Sequence, residues 1–412
     1  MLVRSDQLLT DQARSLDQWL NYILEVHPVG WDLGLSRVSE VGHRLKLLHP
    51  AVTTILVAGT NGKGSTCEYL ERFAMANGLS VGKSTSPHIH TFNERIAIDG
   101  IPVSDEAIVR AFQEIESARK EITLTYFEFA TLASLFLFRE QKVDVAILEV
   151  GLGGRLDAMN IVDPDLTIIT SISLDHQDWL GNTRTEIARE KAGIMRAGVS
   201  CIVVDRDPPE SVYEYAAELG ARLSIIGRDF DPSEGLDTVL PLDSFDAAQQ
   251  ASKMLGWDIS SSQEIGLTTR LTGRRTILED KCEVLLDVAH NPAAAISLAE
   301  HLRAHWDGRD IHAVIGMYKD KDIESVSGIL MPLFKTCHLA SLGEARGEDA
   351  NELLRRLSVK PTGKVETYVS IGDAFEGARK EANPADLIMV FGSFPVVSGV
   401  LQFLGQVALT KN

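Results

Sequence analysis

The sequence predicts an α/β protein of two domains, each built on a mostly parallel sheet with crossover helices. At 412 residues the chain is too long for one ordinary core. Short runs rich in Val, Ile and Leu alternate with segments of helical periodicity. A second series of such runs opens near residue 283, beyond a stretch that has no strand pattern.

Thr53–Ala58 (TTILVA) reads as a buried strand that enters a glycine-rich turn. A helix follows over Thr66–Asn77, with Leu70, Phe73 and Ala74 at helical spacing and Gly78 as its stop. Val143–Val150 and Asp165–Ser171 read as further buried strands that end in polar residues, and Ser200–Val204 as another. Gly227–Asp243, rich in Asp, Pro, Gly and Ser, reads as loop, Asp246–Leu255 as helix and Gly266–Gly273 as a hinge. The boundary is therefore expected near residue 270, giving domains 1–270 and 271–412. The second series is Glu283–Val288, His312–Gly316, Thr336–Leu339, Val365–Val369 and Asp386–Phe391. A helix over Pro292–His305 follows its first strand, with Pro292 suited to a first-turn position.

Composition narrows the function. The formal net charge is −18, and no basic stripe exists to neutralise phosphates, which argues against nucleic acid as a partner and disfavours an anionic membrane surface. Met1–Gln12 lacks the apolar core of a signal peptide, and apolar runs such as Leu135–Phe138 are too short to cross a bilayer. The four cysteines (Cys67, Cys201, Cys282, Cys337) show no close pair and no metal spacing; buried, reduced thiols in a cytoplasmic protein are the expectation. A net-acidic protein that binds anions must concentrate its cations and glycine backbone locally.

Gly59-Thr60-Asn61-Gly62-Lys63-Gly64-Ser65-Thr66 lies between a strand and a helix and does so. Backbone N–H groups at a glycine-rich helix start form an anion site, and Lys63 adds a full charge. Ser65 or Thr66 is placed to meet a magnesium ion. The loop departs from the strict Walker spacing, with Val57 in place of the first glycine and Gly64 inserted before the hydroxyl. A tight Gly/Asn turn is the bland alternative; the lysine after a buried strand favours phosphate, making the first domain a P-loop-type ATPase domain. Gly151-Leu152-Gly153-Gly154 does not fit a dinucleotide loop.

Ligands of open α/β sheets collect beyond the carboxyl ends of strands. Glu149, the Asp175-His176 pair and Ser86 all stand at such ends. Glu149 and Ser86 offer the oxygens magnesium prefers, with His176 a softer ligand. Each alone has a plain alternative as a cap or surface residue; their joint position favours a metal cluster. Lys191 reads as an exposed helix charge.

These segments in order resemble the Mur-ligase superfamily and, within it, the bacterial dihydrofolate synthase/folylpolyglutamate synthase family. The resemblance is carried by GTNGKGST (59–66), SPH (86–88), LTYFEFATL (124–132), ILEVGLGGRLDAMN (147–160), SLDHQDWLG (173–181), REKAGI (189–194), DVAHNP (287–292) and FGSFPVV (391–397). It implies a P-loop-type domain followed by a smaller Rossmann-like α/β domain. It also implies a reaction in which ATP phosphorylates a substrate carboxylate and the amine of L-glutamate then displaces phosphate. Direct amide formation in water is unfavourable, so the carboxylate must first be activated; the transfer itself calls for positioning and charge neutralisation.

By the resemblance, Thr60, Asn61, Gly62, Lys63, Gly64 and Ser65 hold the phosphates of ATP, while Ser86, Glu149 and His176 hold Mg2+, two ions being expected and K+ a further candidate. Lys63, Lys191 and His290 are the implied catalytic residues. Lys191 is implied to be carbamylated, turning a cation into a carboxylate-like ligand; this needs a neutral amine, which burial and neighbouring cations would favour. Asp32, Leu33 and Gly34 with Thr125, Tyr126 and Phe127 are the implied pterin pocket, although a Tyr-Phe pair by itself reads as core. Arg274 and Asp287 are implied ATP contacts, Asp246 stands at the base-contacting position, and His290 and Ser393 are on the glutamate side. The implied partners are dihydropteroate, reduced folates, L-glutamate and ATP, and a monomer is expected.

The chain departs from the family pattern at Asp246-Ala247 (usually Asn-Ala), at Gly273-Arg274-Arg275 (usually Gly-Arg-Phe) and at Lys319 (usually His), and the stretch from Cys201 to Asp246 is short. Folylpolyglutamate synthase activity alone is an alternative; the Asp-Leu-Gly-Leu loop and Leu-Thr-Tyr-Phe-Glu favour the bifunctional form. A cell-wall Mur ligase is disfavoured because no UDP-sugar domain precedes the loop. From another class, a P-loop regulatory nucleotide-binding protein lacks its Asn-Lys-x-Asp signal here, and an inactive binding module sits poorly with Lys63, Glu149 and His176.

Overall fold

The computed structural model describes residues 14–405, so Met1–Gln12 lies outside the described residues. The chain divides into two compact units. One comprises residues up to Ile172 and Asp178–Thr269; the other comprises Ser173–Gln177 and the residues from Arg270 onward.

The first unit holds an eight-stranded sheet. Its strands are β1 (Thr53–Ala58), β2 (Val81–Ser84), β3 (Ile96–Ile98), β4 (Ile101–Pro102), β5 (Val145–Glu149), β6 (Leu166–Ile169), β7 (Ser200–Val203) and β8 (Arg222–Ile225). The order is β4-β3-β2-β5-β1-β6-β7-β8. β2 and β5–β8 run parallel with β1, while the β3 and β4 edge is antiparallel. β5 is buried at every position, which is why VAILE is a continuous apolar run closed by one charge. Before β1, the helices Leu16–Val26 and Ser36–Leu45 pack through Trp19, Ile23, Val38 and Val41 into the same core as Phe112 and Phe129. The aromatic faces meet edge-on, with Phe112 5.9 Å from Phe129.

The second unit holds β9 (Thr276–Glu279), β10 (Glu283–Asp287), β11 (Ile311–Ile315), β12 (Thr336–Ala340), β13 (Val365–Tyr368) and β14 (Leu387–Phe391). The order is β13-β12-β11-β14-β10-β9, and the edge strand β9 is antiparallel to β10. Leu285, Ala313, Cys337 and Met389 centre its separate core. The helix Pro292–Trp306 starts as its sequence suggests, with Pro292 in the first turn and the Asn291 side chain accepting from Ala294 N at 3.0 Å.

Several expectations are corrected. The phosphate-loop helix spans Lys63–Ala76, starting at the lysine itself, because Gly62 at φ 87° already completes the turn. Gly266, at the start of the Gly266–Gly273 segment, lies inside the helix Ser262–Thr268, and the units part after Thr269, within that segment. The helix expected from Asp246 begins at Leu242, so Asp246 is an interior, buried helix residue. Lys191 is buried, against its reading as an exposed charge. Ser173–Gln177 groups with the second unit because Asp175 makes its ion pairs there. All four cysteines are free and buried. Among the described residues, no helix is long and apolar enough to cross a membrane.

Candidate active site

β1 delivers the chain to Gly59, whose φ of 153° lies in the region that side chains avoid. A Cβ there would fall 1.8 Å from Thr170 Oγ1, so only glycine lets the loop close on the end of β6. That strand end clamps the loop. Thr60 N donates to Ser171 O at 2.7 Å, Asn61 N donates to Ser171 Oγ at 2.9 Å, and Thr170 Oγ1 donates to Asn61 O at 2.6 Å. Lys63 folds back so that Nζ donates to Gly59 O at 3.0 Å and Thr60 O at 3.3 Å. The cation thus sits over the loop that its own helix begins. Ser65 and Thr66 are buried, and Thr66 Oγ1 has no hydrogen-bond partner.

Register places the acidic residue beside this loop. Val57 of β1 pairs with Glu149 of β5, and on the other side Leu148 pairs with Ser84 of β2. Three neighbouring parallel strands therefore end on the phosphate loop, Glu149 and Ser86. The Glu149 carboxylate accepts from Ser86 N at 2.9 Å. Arg95 then donates to His88 Nδ1 at 2.8 Å, and burial together with that guanidinium lowers the His88 pKa to about 4. The same guanidinium lies 5.6 Å from the Tyr126 ring centre and 5.8 Å from that of Phe92.

The loop after Glu149 is shaped by two contacts. A Cβ at Gly151 would lie 2.6 Å from Phe127 Cζ, so the bare backbone is what seats that ring. Asp157 accepts from Leu152 N and Met159 N at 2.9 Å each. Burial raises its pKa to about 6, with backbone hydrogen bonds and the Lys63 charge opposing.

The N-terminal loop reaches the same neighbourhood through ions. Asp32 accepts from Arg37 Nη1 at 2.6 Å, and its carboxylate lies 3.1 Å from His27 Nε2. Arg37 Nη2 donates to Glu128 at 3.2 Å, and Glu128 in turn accepts from Thr125 N at 2.7 Å, closing a capping box on the helix Tyr126–Gln141. Asp32, with Leu33 and Gly34 beside it, and Thr125–Phe127 are thus tied together. Trp31 stacks on Trp179 with ring centres 5.6 Å apart, both half-exposed. Lys191 stands near the end of the helix Arg184–Ala192. Asp246 accepts from Ser233 N at 3.0 Å through Oδ1, while Oδ2 is buried without a partner. Burial raises its pKa.

In the second unit Asp175 is the centre. Its carboxylate accepts from Lys321 Nζ at 2.7 Å and Asn291 Nδ2 at 3.1 Å, and His290 Nε2 lies 3.3 Å away. Burial alone would raise its pKa, but His290 and Lys321 hold it far below the usual carboxylate range. His290 Nδ1 lies 2.8 Å from Val288 O. His176 follows with φ 51°, a left-handed conformation uncommon for a side-chain-bearing residue. Asp287 accepts from Arg275 N at 3.1 Å and Ala289 N at 2.8 Å, shaping the turn at the end of β10. Arg274 lies 5.8 Å from the Phe394 ring centre. Ser393 caps the next helix, accepting from Val396 N, and donates to Gly316 O at 2.8 Å. Of the departures, Arg275 donates to Ser297 Oγ at 2.9 Å and Lys319 donates to Ala345 O at 3.1 Å.

Residues 57–278 match the Mur ligase middle domain, and residues 273–394 match the Mur ligase glutamate ligase domain. The dihydrofolate synthase/folylpolyglutamate synthase of Escherichia coli K12 is 40% identical over 414 residues, covering 96% of this chain and 97% of that one. The chain belongs to the Mur ligase family of dihydrofolate synthase/folylpolyglutamate synthases. The Haemophilus influenzae relative is 38% identical, with 93% of this chain and 96% of that one covered. The E. coli FolC structure in complex with DHPP and ADP superposes with a TM-score of 0.91 at 39% identity, covering 96% of this chain and 98% of that one. The Yersinia pestis structure complexed with AMPPNP and Mn ion gives 0.89 at 38% identity, covering 95% and 98%.

Within this Mur ligase chain, five positions escape a reading by motif. Arg37, Lys83, Arg95, Asp157 and Lys321 each hold a candidate site residue or its support in place. Asp157 and Lys321 lie inside recognisable segments, LDAMN and Lys319-Asp320-Lys321-Asp322, which is the signal that could have marked them. Arg37, Lys83 and Arg95 carry no motif: their partners Asp32, Glu71 and His88 lie only five to twelve residues away, but nothing in the linear sequence says that these side chains meet.

Proposed function

We propose that this chain is an ATP-dependent, ADP-forming ligase that adds L-glutamate to dihydropteroate, giving dihydrofolate, and to reduced folates, giving folylpolyglutamates. The observation that carries the reading is the convergence of three adjacent parallel strands on the Lys63 loop, Glu149 and Ser86. Relatives at similar length are dihydrofolate synthase/folylpolyglutamate synthases, and one related structure holds Mn, AMPPNP and L-glutamate.

A carboxylate oxygen of the folate-type substrate attacks the γ-phosphorus of ATP, and the bond to the β–γ bridging oxygen breaks to release ADP. The glutamate amine then attacks the acyl carbon, the C–O bond to phosphate breaks, and the amine nitrogen loses a proton. The chain's contribution is placement and neutralisation: the Thr60–Ser65 loop, through the N–H groups of Gly62 to Ser65 and the Lys63 ammonium, meets the phosphates, while the Thr60 and Asn61 N–H groups anchor the loop on Ser171. Glu149 and Ser86 supply hard oxygens that fit Mg2+, with His176 assigned as a further ligand; the ion would neutralise phosphate charge. Asp32–Gly34 and Thr125–Phe127 are assigned to the pterin. Arg274, Asp287 and Asp246 are assigned to ATP, and His290 and Ser393 to glutamate. Burial of Lys191 supports its carbamylation, in which Nζ bonds to the carbon of CO2 and loses a proton. K+ as a further ion, a monomer and a cytoplasmic setting belong to the same reading.

The test is phosphate release from ATP with glutamate plus either dihydropteroate or tetrahydrofolate. Release dependent on each acceptor is expected. Release indifferent to both overturns the ligase reading, and release with tetrahydrofolate alone leaves a folylpolyglutamate synthase. Full activity of Lys191→Ala would remove the carbamate.

A further inference from the structure

At the opposite ends of the second unit's strands, away from Asp287 and Ser393, four buried polar side chains and the partly buried Glu381 form a cluster. His312 is the second residue of β11 and pairs in register with Thr336, the first residue of β12. His338 follows Thr336 by two residues and so shares its face of the sheet. Glu381 ends the helix Ile371–Glu381, and Asp386 immediately precedes β14. His312 and His338 are among the most buried polar residues of the chain. Gly377 admits the arrangement, since a Cβ there would lie 2.3 Å from Tyr368 Oη and 2.9 Å from His338 Nδ1.

Hydrogen-bond accounting leaves the cluster short of one cation. His312 Nε2 lies 3.3 Å from Asp386 Oδ2, a carboxylate that can only accept, so Nε2 carries the proton and Nδ1 presents its lone pair. Tyr368 Oη donates to Glu366 Oε2 at 2.5 Å, so toward His338 Nδ1, 3.1 Å away, it accepts. His338 Nε2 therefore presents a lone pair too. That nitrogen lies 3.2 Å from Thr336 Oγ1 and 3.6 Å from Glu381 Oε2, while His312 Nδ1 lies 2.8 Å from the same Thr336 hydroxyl. Thr336 has one hydrogen and can satisfy one of the two rings. With that hydrogen on His312, His338 Nε2 faces the Glu381 carboxylate with lone pair against negative charge; with it on His338, His312 Nδ1 faces the hydroxyl oxygen with lone pair against lone pair.

We propose that His312, His338 and Glu381 form a binding site for a divalent transition metal of the Zn2+ class. Imidazole nitrogens with one carboxylate oxygen suit that ion, and Thr336 or a water completes four ligands. Each ring's remote nitrogen is already held, His312 directly by Asp386 and His338 through Tyr368 by Glu366, the outer arrangement that orients metal-ligating histidines. The ligand atoms lie within 4.8 Å of one another. Tetrahedral metal bonds of about 2.0–2.2 Å set ligand atoms about 3.4 Å apart, so a pair at the 4.8 Å limit must close by about 1.4 Å, a movement asked of Glu381 at the end of its helix. Lys364 occupies the other oxygen of Glu381 and leaves Oε2 to the site.

The full chain, stripped with a chelator, is titrated with Zn2+ alone and desalted; retained metal is counted by mass spectrometry, and Co2+ substitution reports ligand geometry by its visible spectrum. One retained equivalent is expected, with a tetrahedral Co2+ spectrum and a Zn2+-dependent rise in Tm. It should survive Glu149→Gln, which separates it from the nucleotide-side metal, and disappear in Glu381→Gln and His338→Gln. Glu381→Gln preserves shape at a helix end, so it decides the matter if the buried His338 variant fails to fold. Zn2+ retained equally by wild type and Glu381→Gln overturns the site. So does no retention by wild type; a doubly protonated His312 or His338 in 15N imidazole spectra at neutral pH would then identify a proton as the missing cation.

Discussion

The Glu149 carboxylate accepts a 2.9 Å hydrogen bond from the backbone N–H of Ser86, joining the ends of two adjacent parallel strands. Because a side-chain amide oxygen can accept the same bond, Glu149→Gln separates charge from shape. The variant should fold as wild type while its rate of phosphate release falls by at least about 10²-fold and its Mg2+ requirement rises. Steady-state assays across Mg2+ concentrations with a parallel thermal melt would check both. Unchanged kinetics would detach Glu149 from the chemistry.

Lys83 presents a different balance. It lies buried between Glu68 and Glu71 and forms ion pairs with both. Burial works against its charge, but the two carboxylates more than compensate and hold its pKa above the usual lysine value. Lys83→Met would leave two buried carboxylates facing each other, a loss of about 3–5 kcal/mol. Burial already raises the Glu71 carboxyl in the folded state, and loss of the lysine charge that opposes this would raise it further. The variant's deficit should therefore shrink as pH falls toward 4, a trend measurable by denaturant unfolding.

Asp157 gives a pH dependence of defined sign. Its folded pKa is raised to about 6, against an unfolded value of about 3.9. Between these values the folded state binds more protons, so this contribution is fully present below about pH 4 and is lost as pH rises through 6. The difference at pH 7 is about 3 kcal/mol. Asp157→Asn loses one acceptor for the Leu152 and Met159 amides but has no such titration. Its deficit relative to wild type should narrow between pH 4 and pH 7; a constant deficit would count against the burial effect.

Asp246 offers the reverse kind of variant, one expected to stabilise. Its Oδ1 accepts from Ser233 N, and its buried Oδ2 has no partner. Asp246→Asn retains the first contact and removes the buried charge. A gain of about 1 kcal/mol at pH 7–8 is expected, shrinking as the pH is lowered and the carboxyl takes up a proton. Thermal melts across that pH range would show it.

The central strands were legible because parallel strands buried on both faces must be continuous apolar runs, and β1, β5, β10 and β14 are such runs. The edge strands β3, β4 and β9 were not, being short and partly exposed. Lys191 was misread because helical spacing says nothing of what packs over a helix. The helical place of Gly266 was not legible because a glycine that serves packing and one that serves bending look alike in sequence.

By itself the sequence determined two α/β units and a phosphate loop, and left Glu149 and Ser86 at strand ends. Local periodicity and a glycine-rich turn are properties of neighbouring residues, so the linear order suffices to show them. Tertiary structure alone decided that β5 inserts between β1 and β2, which is what brings Glu149 to Ser86 and both beside Lys63. It alone set Lys83 between two glutamates, Lys321 on Asp175, and His312 beside Thr336. Those pairings span from a dozen to more than a hundred residues, and burial and charge become meaningful only when strand register sets such partners at hydrogen-bonding distance.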